Sequence, residues 1–458
     1  MQGQAATATS TATATPTAIA TSTAPAPFSP YQRWVIGLLA FLQFTIILDF
    51  MIISPLGAML MPTLHITPAQ FGMVVSAYAF SAGASGLLAA GFSDRFDRKT
   101  LLLVFYGGFV LGTLLCGVAR TYEFLFFARM ITGVFAGVIA STVMAITTDL
   151  FDYRSRGRVM GIIQAAFSAS SVIGIPLGLY LSNRWGWNAP FLLIVAISAA
   201  VGLAAWRLLR PIDAHLKIPS QRTALRHFIH TATMPRYLSG FVTTALLSTG
   251  GFLLMPYSSA FSVHNLGIAL TRLPLVYVVT GACTLVAGPL IGRASDSFGK
   301  FRLFCFGSVA TLITVTVYTH LGPTPIGWVI LVNCLLFIGI TSRMISASAL
   351  LSAVPAPADR GAYMSISSSL QQVSGGFAAV VAGLIVTETS TGALEHFDTV
   401  GYVLAATILI TTTLIYFISR RVEAMVSTTS TAAPGTAAPA TTAPAYSPSG
   451  TGPTRARP

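Results

Sequence analysis

The stretch Ala90-Gly91-Phe92-Ser93-Asp94-Arg95-Phe96-Asp97-Arg98-Lys99 decides how this chain folds. It places two acids and three bases within a few residues, with strongly apolar sequence on both sides. Residues 68–92 before it and 100–118 after it each suffice to cross a bilayer as a helix, which takes ~20 residues. The stretch therefore reads as a short loop turning two membrane helices at the water surface. Its basic character argues that this loop faces the cytoplasm.

The loop has an echo. Residues 292–302 read Gly-Arg-Ala-Ser-Asp-Ser-Phe-Gly-Lys-Phe-Arg, again between two apolar spans. Asp94 and Asp296 are 202 residues apart, and the pairs Arg156-Gly157 and Arg360-Gly361 are 204 apart. Two charged features at nearly one offset indicate a bundle written twice.

Gly-x-x-x-Asp-Arg-x-Gly-Arg-Lys between the second and third helices is the signature of the major facilitator superfamily, and this chain resembles it over about residues 31–421. Ala90 stands at the first Gly position, with Gly91 one place late, and Asp97 replaces the Gly inside the turn. The second copy keeps Gly292, Asp296 and Gly299 but lacks the first Arg. The resemblance implies an all-α membrane protein with twelve transmembrane helices in two pseudo-symmetric six-helix bundles. It places the bundles at 31–207 and 237–421, joined by a cytoplasmic linker at 208–236. Tails at 1–30 and 422–458, rich in Ala, Thr, Ser and Pro, bury too little apolar surface to offset the entropy of ordering and are expected to be disordered.

Composition agrees. Hydrophobic residues make up 54% and charged residues 9%, against roughly 25% charged in soluble domains. The net charge of +13 does not point to nucleic acid, because the bases sit at span ends rather than on one polar segment. Twelve spans are expected at about 33–60, 68–92, 100–118, 122–148, 158–182, 187–207, 237–262, 270–294, 300–320, 326–351, 361–386 and 398–419. Of the 26 Lys and Arg, only Arg120, Arg184 and Arg272 fall in loops on one side, and only Arg129 and Arg343 lie within spans. The other 21 share the opposite side. That asymmetry puts both termini in the cytoplasm and suits an even number of spans. The four cysteines lie within apolar spans without metal-ligand spacing, so neither a disulfide nor a metal site is expected. The seven His are scattered over loops and span ends, and they form no catalytic constellation.

Ionisable groups inside a span are costly and mark function. Asp49 is the one acid expected near mid-membrane. Burial disfavours its carboxylate and a nearby Arg favours it, so a group balanced between the two can take up and release a proton; a permanent structural pair is the alternative. Arg129 opens Arg129-Met-Ile-Thr132-Gly133, which resembles the superfamily's fourth-helix motif associated with proton coupling. Arg343 carries the same local wording and is a candidate for binding a substrate anion, for pairing with a polar group of the second half, or for snorkelling to the surface. Gly174, Pro176 and Gly178 resemble the fifth-helix motif of efflux members, which implies packing at the seam between halves. With Gly186-Trp187-Asn188-Ala189-Pro190-Phe191, they favour the twelve-helix drug:proton antiporter-like branch, where arabinose-type efflux permeases also sit. Gln43, Gln164, Phe167, Tyr257, Tyr277, Gln371 and Gln372 stand at depths where a substrate pocket between halves is expected; each is equally suited to helix packing.

The activity implied is proton-coupled efflux of a small organic molecule without a cofactor, by a monomer in the cell (inner) membrane. A sugar or metabolite symporter or uniporter is the nearest alternative. A non-transporting membrane sensor is the rival from another class; it would be expected to carry a folded soluble output domain, and the tails read as low-complexity sequence. In the resemblance, Asp94, Arg95, Arg98 and Lys99 latch the halves on the cytoplasmic side with Asp149 and the repeat residue Asp296. Arg98 is expected to pair with Asp149 or Asp152, and Asp94 to cap the eleventh span near Gly361. Asp94→Asn is then expected to leave the protein in the membrane yet cut transport strongly. Wild-type transport rates in that variant would remove the latch.

Overall fold

The computed structural model describes residues 28–213, 216, 224–356 and 359–431. Both halves are helical. The first runs α1 Pro30–Ile52, α2 Gly57–Leu64, α3 Pro68–Phe92, α4 Arg98–Val118, α5 Tyr122–Leu150, α6 Tyr153–Ala169, α7 Ile175–Trp185 and α8 Ala189–Leu208. After a connecting helix, α9 Ala224–Thr233, the second runs α10 Pro235–Leu254, α11 Ser258–His264, α12 Leu273–Phe298, α13 Lys300–Thr319, α14 Ile326–Leu351, α15 Arg360–Ile385 and α16 Phe397–Thr431. Among the described residues, twelve helices, counting merged pieces, are long and apolar enough to cross a membrane. The last runs to Thr431 rather than stopping near 419, so helix enters the stretch expected to be a tail. The remainder of both tails lies outside the described residues.

Local chemistry sets the ends. Ser29 and Thr67 each accept a hydrogen bond from a Gln backbone N–H three residues on, and the Gln side chain bonds back, with Pro opening both helices. Asp97, which stands where the superfamily has Gly, starts α4 by accepting from the Thr100 N–H and hydroxyl, both at 2.9 Å. It also accepts from the Ile212 N–H at 2.6 Å, tying the turn to the start of the linker. Partial burial opposes its ionisation, but these hydrogen bonds outweigh it and hold the carboxyl below the usual carboxylate range. The stability it adds is therefore complete above the ordinary Asp pKa, about 4, and is lost as pH falls through the lower folded value.

Three spans are broken. The first breaks at Ile53–Leu56 around Pro55 and the seventh at Met255–Tyr257 around Pro256. The two prolines are 201 residues apart, the repeat again. The fifth widens into a π turn at Ser170–Gly174, just before Pro176, where the missing proline N–H removes a rung of the ladder.

The bundles repeat their packing. In the first, α3 lies on α5, α4 on α5 and α8, and α1 on α6 and α8. In the second, α12 lies on α14, α13 on α14 and α16, and α10 on α15 and α16. Small residues allow the close approaches. Gly133 and Gly137, one turn apart on α5, face Ser81 and Ala82 of α3 so tightly that neither site has room for a Cβ. Gly137→Val is expected to cost about 1–3 kcal/mol through overpacking and to lower the thermal midpoint in detergent. Gly161, which faces open space, is the control: Gly161→Ala should hold or raise that midpoint.

The apolar core shows how the halves meet. The largest buried cluster takes side chains from both halves at the end away from the basic loops, joining Leu48, Leu56 and Phe71 to Tyr257, Phe261 and Phe397. The three smaller clusters each belong to one half. The halves thus share an apolar core at one end and keep separate cores at the basic end, where α3 still lies along α15 with Gly83 and Gly86 against Ser369.

Candidate functional site

Asp49 and Arg129 meet. Both side chains are fully buried, and Arg129 Nη1 donates to Asp49 Oδ2 at 2.8 Å and to the Asp49 carbonyl at 3.1 Å. Arg129 also lies over the Tyr78 ring, 4.4 Å from its centroid, which spreads the cation over an aromatic face. Asp49 Oδ1 and Arg129 Nε and Nη2 have no hydrogen-bond partner among the described residues. Thr113 stands beside the carboxylate. The pair joins α1, α3, α4 and α5 at one point, and it has unused capacity for a proton or a polar ligand.

An aromatic seal adjoins it. Phe50, next in sequence to Asp49, packs on Tyr78 at 5.2 Å between centroids and on Phe252 of the other half at 5.7 Å. Phe80 meets Phe377 edge-on across the same seam at 4.9 Å. The Phe252 ring covers Gly375, and the Phe80 ring covers Gly376. Farther from the basic end, the Tyr257 hydroxyl donates to the Pro68 carbonyl at 2.9 Å and to the Ala379 carbonyl at 3.3 Å. Ser259 donates to the Ser54 carbonyl at 2.9 Å, joining the two proline breaks, and Asn183 donates to the Leu270 carbonyl at 3.1 Å. Toward the basic end the seam loosens on one flank. The π turn and α7 touch α12, with Val172 against Gly281, whereas α6 packs mainly on α1 and on its own bundle.

The other expected residues divide. Gln43 lies two turns below Phe50 on α1, and Gln371 and Gln372 lie one turn below Gly375 and Gly376 on α15. All three are half-buried, and none has a hydrogen-bond partner among the described residues. Gln164 and Phe167 are exposed on α6, on the face that continues to Ser171 and the α12 contact. These five stand on the basic side of the seal, with Gln372 packed against Gly83 of α3. Tyr257 does not line a pocket: it is wholly buried and ties the break in the seventh span to the start of α3 and to α15. Tyr277 stands beside Ser258 and Tyr318 within the second bundle. Arg343 points away from the seam, donating to Thr411 at 2.8 Å and covering the Phe304 ring. It pairs with a polar group of its own bundle and is not placed to bind a substrate anion. Gly174 and Gly178 face Leu48 and Ile52 of α1, so these two glycines pack within their own half, and the contact of the π turn and α7 with α12 and the turn before it is made by other residues, among them Val172 and Asn183.

At the basic end, Arg98 is buried and reaches Asp149 at 3.2 Å and the Ser93 carbonyl at 2.9 Å. Both contacts stay within the first half. Arg95 and Asp296 are exposed and Lys99 is half-buried. The Asp94 side chain lies outside the described residues. Sequence reasoning missed Tyr78 and the aromatic seal. The position of Phe50 beside the one buried mid-span acid, and the proline pair repeated at 201 residues, were the available signals.

Comparison with known proteins agrees with this architecture. The family profile described as Major Facilitator Superfamily matches residues 39–342 and 240–448. The chain is 24% identical to Multidrug resistance protein 2 of Bacillus subtilis over 64% of its length and 74% of that protein's. It is 22% identical to Multidrug resistance protein 1 of the same organism, over 73% of this chain and 85% of the other. Among solved structures, a bacterial homologue of the human lysosomal transporter Spinster, inward-facing and unoccupied, superimposes with a TM-score of 0.70 at 17% identity. That match covers 86% of this chain and 98% of the other. The nucleoside transporter NupG gives a TM-score of 0.67 at 15% identity, covering 85% and 99%. The chain belongs to the Major Facilitator Superfamily and is a multi-pass membrane transporter.

Proposed function

We propose that this transporter exports a small organic molecule in exchange for protons, with Asp49 as the proton carrier and Arg129 as its partner. The observation that carries this reading is the buried, incompletely satisfied Asp49–Arg129 pair beside the aromatic seal. The names of the two multidrug relatives support the direction. The basic end is assigned to the cytoplasm with both termini, in the cell (inner) membrane. The end at which the halves share a core then faces outward, and the conformation described is closed there.

The proposed cycle follows from the charges. Ionised, Asp49 holds Arg129 by a short charge-assisted hydrogen bond that little water screens. A proton on the carboxylate removes that attraction and leaves Arg129 to the Tyr78 face and to polar groups entering the gap. Because Phe50 adjoins Asp49 and packs on Tyr78 and Phe252, movement of α1 at Asp49 loosens the seal. Substrate occupies the space below the seal, among Gln43, Gln164, Phe167, Gln371 and Gln372. Its mixture of amides and apolar surface suits an amphipathic solute. On outward opening, the turn that carries Asp94, Arg95, Arg98 and Lys99 closes against the second half.

The test is proton flux in proteoliposomes with a pH dye inside and a panel of drugs, sugars and nucleosides outside. Substrate-triggered proton movement is expected in the wild type and should drop at least tenfold in Asp49→Asn. Substrate movement without a proton signal in either protein would make Asp49 a purely structural partner of Arg129. A second expectation concerns the outer gate. Tyr257→Phe removes hydrogen bonds together worth about 0.5–1.5 kcal/mol net, which should raise the outward-open population roughly two- to tenfold. Spin-label distances between the outer ends of α3 and α11 check this, and an unchanged distribution would strip Tyr257 of a gating role.

A further inference from the structure

The basic end of the second bundle carries a cavity apart from the aromatic seal and the Asp49–Arg129 pair. It has a volume of about 680 Å³ and lies among α10, α15, α16 and the segment after α14, within the size range of small-ligand sites. Arg236, Arg360 and Arg421 line it, together with the apolar surfaces of Pro355, Ile418 and Val422. Its walls come from one bundle, so rocking of the halves does not dismantle it.

The charges are not balanced. Arg236 reaches Asp359 at 2.7 Å, and the Tyr237 hydroxyl donates to the same carboxylate oxygen at 2.5 Å. That acid already holds those two donors. Arg360 and Arg421 have no ion-pair, hydrogen-bond or ring partner among the described residues. The repeat sharpens the contrast. Arg156, the counterpart of Arg360 in the first half, donates to the Phe151 carbonyl at 2.9 Å and to the Thr148 carbonyl at 2.6 Å. There the guanidinium caps the end of the preceding helix. In the second half the same residue is released from that duty and faces the cavity instead.

We propose that this cavity binds a phosphate-bearing anion, held by Arg360 and Arg421 with Arg236 at the margin. Guanidinium groups match phosphate oxygens in planar, paired geometry. Apolar wall residues beside them at the bilayer surface suit a phospholipid whose headgroup meets the arginines while its glycerol end follows Ile418 and Val422. A free phosphate compound shares the headgroup chemistry and is the other source. The site depends on the membrane fold and not on proton coupling, so it stands or falls separately from the exchange reaction.

The experiment is native mass spectrometry of the full-length protein released from micelles containing equal phosphatidylglycerol and phosphatidylcholine of the same chains. The wild type is expected to retain the anionic lipid with at least tenfold preference. Arg360→Gln with Arg421→Gln should bring that preference near parity. Arg293→Gln with Arg302→Gln, an equal charge loss at the same end outside the cavity, should keep it. Excess inorganic phosphate that displaces the lipid from wild type assigns the site to free phosphate compounds, and resistance to displacement assigns it to lipid. No preference in the wild type, a preference surviving in the cavity double variant, or equal loss in the control variant would each overturn the proposal. Unchanged helical content by circular dichroism in all three proteins excludes misfolding as the cause.

Discussion

An arginine in hydrocarbon needs an anion, and that need organises the first bundle. Arg129 sits about two turns into α5 with no exposed surface. Removing either member of a buried pair leaves the other uncompensated, at a cost of about 3–5 kcal/mol. The pair therefore fixes where α1 meets α5. Tyr78 must stand beneath the guanidinium, which fixes α3, and Phe50, one residue from Asp49, is thereby set against the opposite half. A charge requirement inside one bundle thus determines a contact between two.

The seam obeys the opposite logic. It must hold and also release, so its links are weak and numerous: side-chain donors onto backbone carbonyls at Ser54, Pro68, Leu270 and Ala379, and aromatic edges over glycines. Several of these contacts use groups at or near the proline breaks. Pro55 and Pro256 interrupt their helices at the same level of the repeat, and the short helices α2 and α11 that follow pack on one another. Each break gives its half a terminal piece that turns over the outer end, and the Ser259–Ser54 bond joins the two pieces.

The spans, the repeat and the acid–base pair were legible in the sequence because charge inside an apolar run is rare enough to stand out. Asp49 and Arg129 needed no three-dimensional knowledge beyond their depth. Arg343 shared the local wording of Arg129, yet local wording does not say which side of a helix faces the gap; α14 turns it toward Thr411 and Phe304. Gly174 and Gly178 misled for a related reason, since a small residue permits close approach without naming the neighbour. Tyr257 read as a pocket residue because its depth was right and its hydroxyl partners were backbone carbonyls, which sequence cannot rank. The aromatic seal was hidden because most of the 29 Phe lie along spans that are apolar on every face. Asp97 looked like a departure from the turn signature, and the structure gives it the work of a helix cap and a linker anchor.

The two buried arginines also show where the repeat is broken. Arg343 lies about two turns from the basic end of α14, near enough to the surface for a hydroxyl and a ring to suffice, whereas Arg129 lies near the opposite end of α5 and is paired with a full carboxylate. At the offset of the two prolines, Asp49 corresponds to Gly250; at the offset of the Arg-Gly pairs, Arg129 corresponds to Asn333. The second bundle therefore keeps the packing of the first and omits its acid–base pair. Among the described residues, the only other buried acid is Asp359, at the basic end and bound to Arg236 and Tyr237. If the exchange runs through a buried carboxylate, one bundle titrates while the other supplies the wall it moves against. Asp49 then carries at most one proton per turnover, so any greater coupling needs a second ionisable group, on the protein or on the substrate.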